Sequence, residues 1–139
     1  MKAPSLDEDV IPDEPVPEGL LLKPRGYQIG LFEDSLKRNI IVSMPTGSGK
    51  TMIAAMRARE ALERGPEGQL VWFLAPKVQL AVQQHQFLSK QIPMFSNILL
   101  TGADNCQFWS RDIWQAVLKT SIVVSTYAVR VPIPHCCRD

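Results

Sequence analysis

The sequence predicts an α/β fold in which a parallel β-sheet is covered by helices on both faces. Short apolar runs alternate with segments of helical periodicity along most of the 139 residues. The runs are apolar at nearly every position, which is typical of strands that are buried on both faces of a parallel sheet. A glycine-rich octet at residues 44–51 separates the first run from the helical segment that follows it. These observations predict a three-layer sandwich.

The predicted elements follow one another in a regular order, and glycine and proline residues mark several of their ends. Strands are predicted at 39–43, 69–75, 97–101 and 121–125, and helices at 25–38, 52–63, 78–91 and 111–119. Ser110 stands where the N-cap of the last helix is expected. The spacing of the apolar residues in that helix points three side chains inward, namely Ile113, Trp114 and Val117.

Charge is distributed unevenly along the chain. Residues 1–19 carry six acidic residues, one lysine and four prolines, so they have little to bury and are predicted to be a flexible leader. Residues 20–139 hold the other 14 basic residues and eight acidic ones, a net charge of +6. This surplus fits a polyanionic partner, but an ordinary solvated surface explains it equally well. Residues 131–139 fit neither a strand nor a helix and are predicted to be an irregular tail.

The cysteines and histidines do not predict a zinc site. Cys106, Cys136 and Cys137 form no C-x-x-C pair, and the two histidines stand at no zinc-ligand spacing from them. Reduced thiols are the simplest interpretation, and they favour an intracellular location, cytoplasmic or nuclear. No apolar run approaches the length of a membrane span or forms the core of a signal peptide, so no membrane association is expected.

The octet at residues 44–51 reads Met-Pro-Thr-Gly-Ser-Gly-Lys-Thr and is the most informative segment of the chain. A glycine-rich turn between a strand and a helix lets the backbone point its N–H groups inward around a phosphate. Lys50 can reach the outer phosphates of a nucleotide, and the Thr51 hydroxyl can bind Mg²⁺. The candidate residues for binding the nucleotide phosphates here are Pro45, Thr46, Gly47, Ser48, Gly49, Lys50 and Thr51.

The octet departs from the general phosphate-loop pattern at one position, where Met44 stands in place of glycine. The variant P-T-G-x-G-K-T at residues 45–51 resembles motif I of the superfamily 2 helicases, in which that position is commonly not glycine. A P-loop kinase is a lesser alternative, because the sequence shows no signature of an acceptor site.

A second element, Arg25-Gly26-Tyr27-Gln28, lies upstream, with its glutamine 22 residues before Lys50. It resembles the R-x-Y-Q element with which superfamily 2 helicases recognise adenine. A glutamine amide can both donate to and accept from the adenine edge, and Tyr27 can pack nearby. Arg25, Tyr27 and Gln28 are therefore candidate ATP-binding residues. A helix with a surface glutamine and a core tyrosine is the alternative.

Three short segments at the ends of predicted strands resemble the nucleic-acid-binding motifs of the same helicases. At residues 75–84 (APKVQLAVQQ) a strand gives way to a helix, where backbone amides and Lys77 can hold phosphates without reading base sequence. An ordinary strand–helix junction there, and a helix cap at Thr126, are the alternatives. The candidate RNA contacts are Lys77, Gln79, Gln83, Thr101, Gly102 and Thr126.

Residues 24–130 as a whole resemble the amino-terminal helicase domain of the Dicer family and its relatives among double-stranded-RNA sensors. The matching stretch runs from RGYQIGLFEDSLKRNIIVSMPTGSGKT through VVSTYAV. The resemblance implies a RecA-like P-loop NTPase fold and makes residues 20–130 a partial helicase ATP-binding domain. It also implies ATP and Mg²⁺ as cofactors and double-stranded RNA as a partner. The family acts in RNA silencing, where ribonuclease III domains, absent from this sequence, cut the duplex.

The resemblance further implies a D-E-x-H box, whose carboxylates hold Mg²⁺ and position the attacking water. Such a box is missing after Thr126, and Asp139 follows no predicted strand. In related helicases the box strand and the next strand lie in the middle of the sheet. Strand 39–43 is therefore expected to lack neighbours, and the incomplete domain to be marginally stable and aggregation-prone.

Without those carboxylates we expect the chain as given to bind ATP without hydrolysing it at a meaningful rate. No catalytic residue is assigned for this reason. A non-hydrolysing decoy that binds RNA or a protein partner, and a non-functional truncated product, are the alternatives.

Overall fold

The computed structural model describes residues 23–129. The α-helices in this part of the chain are α1 (Gly26–Lys37), α2 (Lys50–Arg64), α3 (Val78–Gln91) and α4 (Arg111–Leu118). The β-strands are β1 (Val71–Ala75), β2 (Asn97–Leu100) and β3 (Ile122–Thr126). Two short 3-10 helices, Gly102–Asp104 and Cys106–Phe108, connect β2 to α4. The predicted leader at 1–19 and the predicted tail at 131–139 lie outside the described residues.

The three strands form one parallel sheet in the order β1-β3-β2. Ala75 of β1 stands opposite Thr126 of β3, and Leu100 of β2 stands opposite Ser125, so all three strands end at the same edge. Parallel neighbours require crossover connections, and α3 and α4 lie in these connections. The prediction of a parallel sheet whose strands alternate with helices is confirmed.

The central strand β3 is covered on both faces. Ile122 and Val124 pack on one face and Val123 on the other, and all three have no exposed surface. The face of Val124 packs against α2, α3 and the residue that follows α3. The buried apolar residues there are Ala55 and Ala58 of α2, Ala81 and Leu88 of α3, and Ile92. The face of Val123 packs against Trp114 and Val117 of α4. This is the helix–sheet–helix sandwich that the sequence predicts.

A third apolar cluster joins α1 to α2 beside the glycine-rich loop. Met52, Ile53 and Met56 of α2 are buried in it. The residues packed against them include Leu31, Phe32, Val42 and Met44. Because these come from α1 and from the segment before the loop, the cluster fixes α1 and the loop relative to each other.

The predicted strand at 39–43 is wrong, because the structure has no strand between α1 and α2. Ile41 is 98% exposed, whereas Ile40 and Val42 are partly buried. A strand needs a neighbour for its backbone N–H and C=O groups, and none of the described strands pairs with this segment. The apolar run therefore places alternate side chains against α2 without forming a strand.

Two further side chains are less buried than predicted. Ser110 caps α4 as expected, since its hydroxyl accepts from the Ile113 N–H, but the Ile113 side chain is 44% exposed. At 100° per residue Ile113 lies at the margin of the face that Trp114 and Val117 bury. Leu74 of β1 is 54% exposed because it points away from the face that α3 covers. No helix among residues 23–129 is both long enough and apolar enough to cross a membrane.

Candidate nucleotide-binding site

The glycine-rich loop forms a tight turn that leads directly into α2. Gly47 and Gly49 have positive φ angles of 84° and 82°, which residues with a Cβ rarely adopt. The Ser48 N–H donates to the Pro45 carbonyl oxygen at 3.3 Å, and the Ser48 hydroxyl donates to the same oxygen at 2.6 Å. Gly49 is the N-cap of α2. The two glycines thus let the backbone curl at the N-terminus of a 15-residue helix.

Four N–H groups at the point where this loop enters α2 have no acceptor within the described residues. They belong to Gly47, Gly49, Lys50 and Thr51. The first N–H groups of an α-helix have no intrahelical partner, and the helix dipole adds positive potential at that end. A phosphate group satisfies such donors, so the backbone here is suited to bind one.

The side chain of Lys50 folds back over the loop. Its ammonium group donates to the carbonyl oxygens of Met44 at 2.6 Å and Pro45 at 3.0 Å. Among residues 23–129 no carboxylate forms an ion pair with it. A charged phosphate oxygen is a stronger partner for an ammonium group than a neutral carbonyl. The cation is therefore held at the loop by bonds that a phosphate can replace.

The Thr51 hydroxyl, the candidate ligand of Mg²⁺, has no hydrogen-bond partner in the described part of the chain. That part also contains no group of three or more His, Cys, Asp or Glu side chains that could hold a metal ion. An ion at Thr51 would take its other ligands from nucleotide phosphates and water, which is how proteins usually bind Mg²⁺. The residues present fit this arrangement.

The residues of the R-x-Y-Q element contact the loop. Gln28 is 6% exposed, and its Nε2 donates to the carbonyl oxygens of Gly49 at 3.1 Å and Ser48 at 3.3 Å. Its Oε1 accepts from the N–H of Arg25, the N-cap residue of α1, at 2.7 Å. The Tyr27 hydroxyl donates to the Ser48 carbonyl oxygen at 2.5 Å. Because the Gln28 amide is engaged at both ends, it must exchange at least one of these bonds to contact adenine.

Gly49 is also constrained by Gln28. A Cβ built on Gly49 would overlap the Nε2 atom of Gln28, whereas nothing lies within 4 Å of a Cβ built on Gly47. A side chain at position 49 would therefore have to displace the Gln28 amide in addition to adopting a positive φ angle. The sequence pattern assigns both glycines to the shape of the loop, and the structure adds a contact with Gln28 at Gly49 that Gly47 does not have.

The candidate RNA contacts that lie outside α3 stand along the edge where the three parallel strands end. Lys77 follows β1, Thr101 follows β2 and Thr126 ends β3. The register of the sheet puts these ends side by side, with adjacent strands about 4.8 Å apart. The fold thus gathers residues that are far apart in sequence.

Lys77, Gln79 and Gln83 share a cavity of about 440 Å³ on the surface of α3. Lys77 is the N-cap of this helix, and Gln79 and Gln83 are one turn apart. The other lining residues are Leu80, Val82 and Gln86. Among the described residues the lining offers amide groups and one ammonium group but no carboxylate, which suits a sugar–phosphate backbone.

The other three candidates are less available. The Thr101 N–H and hydroxyl both contact the Asp104 carboxylate, at 2.6 and 3.1 Å. Thr126 is 5% exposed, and its hydroxyl has no partner in the described part of the chain. β3 leads into a turn, so Thr126 does not cap a helix among the described residues. Gly102 opens a 3-10 helix, with open space around its Cα.

Sequence reasoning missed two arginines that line a cavity together with Lys50. This cation-lined cavity has a volume of about 540 Å³. Arg38 follows α1, and Arg57 lies two helical turns after Lys50 on α2. The remaining lining residues are Ser35, Asn39, Ile40, Val42, Ile53 and Ala54. The seven-residue spacing of Lys50 and Arg57 is the signal that places both on one face of the helix.

Cys106 lies in the apolar layer under α4 and is 5% exposed. Burial raises the pKa of its thiol, and the nearby Asp104 carboxylate raises that pKa further. The thiol is therefore protonated at neutral pH and behaves as a small apolar side chain.

The fold and the loop together define a class of protein. Residues 25–130 match the DEAD/DEAH box helicase family, and this match covers most of the chain. The chain belongs to the DEAD/DEAH box helicase family, whose helicase domains bind nucleotides.

Among characterised proteins the chain is similar to fungal Dicer-like proteins. It is 45% identical over 130 residues to Dicer-like protein 2 of Pyricularia oryzae, which covers 90% of this chain and 9% of that protein. It is 52% identical over 104 residues to Dicer-like protein 2 of Coccidioides immitis, which covers 73% of this chain and 7% of that protein. The chain thus spans less than a tenth of the length of these relatives. The predicted resemblance to Dicer-like helicase ATP-binding domains is confirmed.

A solved structure has the same fold. The SWI2/SNF2 ATPase core of Sulfolobus solfataricus, in complex with dsDNA, aligns with a TM-score of 0.60 and 21% sequence identity. The alignment covers 79% of this chain and 22% of that chain. The predicted α/β, RecA-like fold is confirmed.

Proposed function

We propose that this chain binds ATP and Mg²⁺ as part of a Dicer-like, double-stranded-RNA-dependent helicase, with residues 20–130 as a partial ATP-binding domain. The observation that supports this most strongly is the loop at the N-terminus of α2. There Lys50 and four N–H groups without acceptors surround one turn of backbone. Such a concentration of donors stabilises a triphosphate.

Different groups of the loop bind different parts of the nucleotide and its metal ion. The backbone N–H groups and Lys50 bind the phosphates, and the Thr51 hydroxyl supplies one ligand to Mg²⁺. Mg²⁺ held there would neutralise part of the phosphate charge. Gly47 and Gly49 give the backbone its curvature, and Pro45, Thr46 and Ser48 complete the turn.

Adenine selection is assigned to the R-x-Y-Q element. Gln28 lies against the loop and carries both a donor and an acceptor. Exchange of its bond to a loop carbonyl for a bond to adenine would couple base recognition to the shape of the loop. Arg25 and Tyr27 support the same region, since the Tyr27 hydroxyl reaches the Ser48 carbonyl.

The test of adenine selection is competition between nucleotides on the full chain. ATP is expected to displace a fluorescent ATP analogue at least tenfold more effectively than GTP or CTP. Gln28→Ala should reduce this preference to about threefold or less, while Gln86→Ala, a glutamine on α3, leaves it unchanged. Equal competition by ATP and GTP in the unmodified chain would remove the adenine assignment.

Double-stranded RNA is the proposed partner at the edge where the strands end. Lys77, Gln79 and Gln83 carry this proposal because they share one cavity without a carboxylate. Phosphate contacts release counterions, so the affinity for RNA should fall steeply between about 50 and 200 mM salt. The more phosphates the chain contacts, the steeper this fall should be. Lys77→Ala should weaken binding to all RNA sequences alike. A role in RNA silencing would belong to the longer protein in which such a domain occurs.

The decoy function is supported by the same surface. A decoy would hold RNA without nucleotide, whereas a helicase domain changes its RNA affinity when ATP binds. Measurement of RNA affinity with and without ATP distinguishes them. Equal RNA affinity in both conditions favours the decoy, and no RNA binding at low salt excludes both RNA-binding proposals.

A further inference from the structure

The outer edge of β1 is an open side of the sheet. β3 pairs with β1 on one side, and no described strand pairs with it on the other. The Val71 N–H donates to the Ser121 carbonyl oxygen, on the β3 side, at 3.0 Å. Because successive residues of a strand turn their N–H and C=O groups to opposite sides, those of Trp72 and Leu74 point to the open side. Among residues 23–129 these backbone groups have no hydrogen-bond partner.

β1 lacks the features that usually keep an edge strand from pairing with another chain. Edge strands are commonly protected by a charged residue, a proline or a bulge. β1 reads Val-Trp-Phe-Leu-Ala and its register with β3 is continuous, so it contains none of these. Leu74 is 54% exposed, whereas every residue of β2, at the opposite edge, is buried or half-buried. β1 is therefore the edge that is open to a further strand.

A second copy of β1, running antiparallel, would satisfy the open groups in pairs. With a two-fold axis at Trp72, this residue stands opposite its counterpart, and Leu74 stands opposite Leu70 of the second copy. By the same alternation Leu70 turns its backbone groups outward, so about six hydrogen bonds can form. An axis at Phe73 would instead oppose Leu70 to Pro76, which has no N–H. Opposed residues share a face of the sheet, so the exposed Leu74 side chain would contact Leu70.

The charges at the two ends of β1 favour the same arrangement. Glu67 precedes the strand and Lys77 follows it, and neither forms an ion pair within the described part of the chain. Antiparallel pairing about Trp72 brings Glu67 of each copy beside Lys77 of the other. A parallel pairing would instead bring like charges together, which is destabilising. The edge is thus complementary to itself in the antiparallel direction, and this points to a second copy of the chain as its partner.

We propose that two copies of this chain associate through the outer edges of β1, antiparallel and with the two-fold axis at Trp72. The two three-stranded sheets then form one continuous sheet. The same edge is used by both copies, so the association closes at the dimer. It involves one strand of each copy, and a dissociation constant of about 10–100 µM is expected. Neither nucleotide nor RNA takes part, so the pairing is independent of the proposed function.

Hydrogen exchange of single amides in the full chain tests where the copies meet. The Trp72 and Leu74 N–H groups are expected to exchange at least threefold more slowly at about 500 µM protein than at about 10 µM, because dimerisation removes them from water. The Val71 and Phe73 N–H groups point to β3 and serve as controls, protected at both concentrations. Exchange at Trp72 and Leu74 that does not depend on concentration would overturn the proposal.

Analytical ultracentrifugation of two matched lysine variants tests the contact at Leu74. Leu74→Lys places a charge inside the proposed contact, whereas Met94→Lys makes the same kind of change at a residue that is 53% exposed and lies between α3 and β2. At about 500 µM the unmodified chain and Met94→Lys should sediment as dimers, and Leu74→Lys as a monomer. Dimerisation of Leu74→Lys, a monomeric unmodified chain, or assemblies larger than a dimer would contradict the proposal.

A charge swap outside the strand tests its direction without altering β1. Glu67→Lys and Lys77→Glu each place like charges opposite one another, so each should weaken dimerisation at least threefold. The two substitutions combined in one chain restore opposite charges and should return the dissociation constant to within about twofold of the original. Weakening that the double variant does not reverse, or no effect of either single variant, would overturn the antiparallel register.

Discussion

At the scale of single residues, the site depends on contacts that the sequence predicts only in part. Lys50 and the loop glycines are predicted because their spacing leaves few alternatives. The bonds from Gln28 to the Ser48 and Gly49 carbonyls are not predicted, since they depend on how α1 packs against α2. The position of Arg38 beside Lys50 is missed for the same reason.

The two loop glycines are expected to respond differently to alanine. Gly47→Ala should cost about 1–2 kcal/mol of folding free energy, the cost of a left-handed conformation. Gly49→Ala adds displacement of the Gln28 amide, so its cost should reach about 3 kcal/mol. Urea unfolding followed by tryptophan fluorescence measures both. Equal losses would show that Gln28 does not pack against Gly49.

The Cys106 thiol is expected to be protected from alkylation. In a chain with Cys136→Ser and Cys137→Ser, iodoacetamide should modify Cys106 at least tenfold more slowly in buffer than in urea at the same pH. Burial excludes the reagent, and the raised pKa keeps the thiolate fraction of the folded chain below that of the unfolded chain until the pH exceeds the raised pKa. Similar rates in the two conditions would contradict a folded layer under α4.

At the scale of elements, periodicity and breakers predict the helices and three of the four strands to within about two residues. The prediction of a strand at 39–43 is wrong, because an apolar run indicates that side chains are buried and does not show that the backbone pairs with a neighbouring strand. Its Ile41 is 98% exposed, while Ile122 in the centre of the sheet is not exposed at all. Strand formation also depends on neighbouring strands that are distant in sequence, and a local pattern does not contain this information.

A matched pair of substitutions tests this difference between elements. Ile122→Ala should destabilise the chain by about 2–5 kcal/mol, because it leaves a cavity in the core. Ile41→Ala should change the free energy of unfolding by less than about 0.5 kcal/mol, because the side chain is in solvent. Chemical denaturation of both variants measures the difference. A loss above about 2 kcal/mol for Ile41→Ala would mean that residues 39–43 form a buried strand.

At the scale of the whole molecule, the described residues bury their apolar surface in three separate clusters around a three-stranded sheet. The outer edge of β1 has no described partner. We expect the chain without nucleotide to unfold over a broad temperature range and to aggregate. Mg²⁺ and ATP at a hundred times the dissociation constant should stabilise it by about 2.7 kcal/mol. A sharp, reversible two-state transition without nucleotide would contradict this expectation.

The most direct test of the account is calorimetric titration of ATP with Mg²⁺ into the full chain and two lysine variants. Lys50→Ala removes the ammonium group at the loop, and Lys37→Ala removes the same group from the exposed last turn of α1. A charged hydrogen bond contributes about 1.5–3 kcal/mol, so Lys50→Ala is expected to weaken ATP binding at least tenfold. Lys37→Ala should bind ATP like the unmodified chain. Equal affinity in all three proteins, or no ATP binding by the unmodified chain, would contradict the assignment of the loop as a nucleotide site.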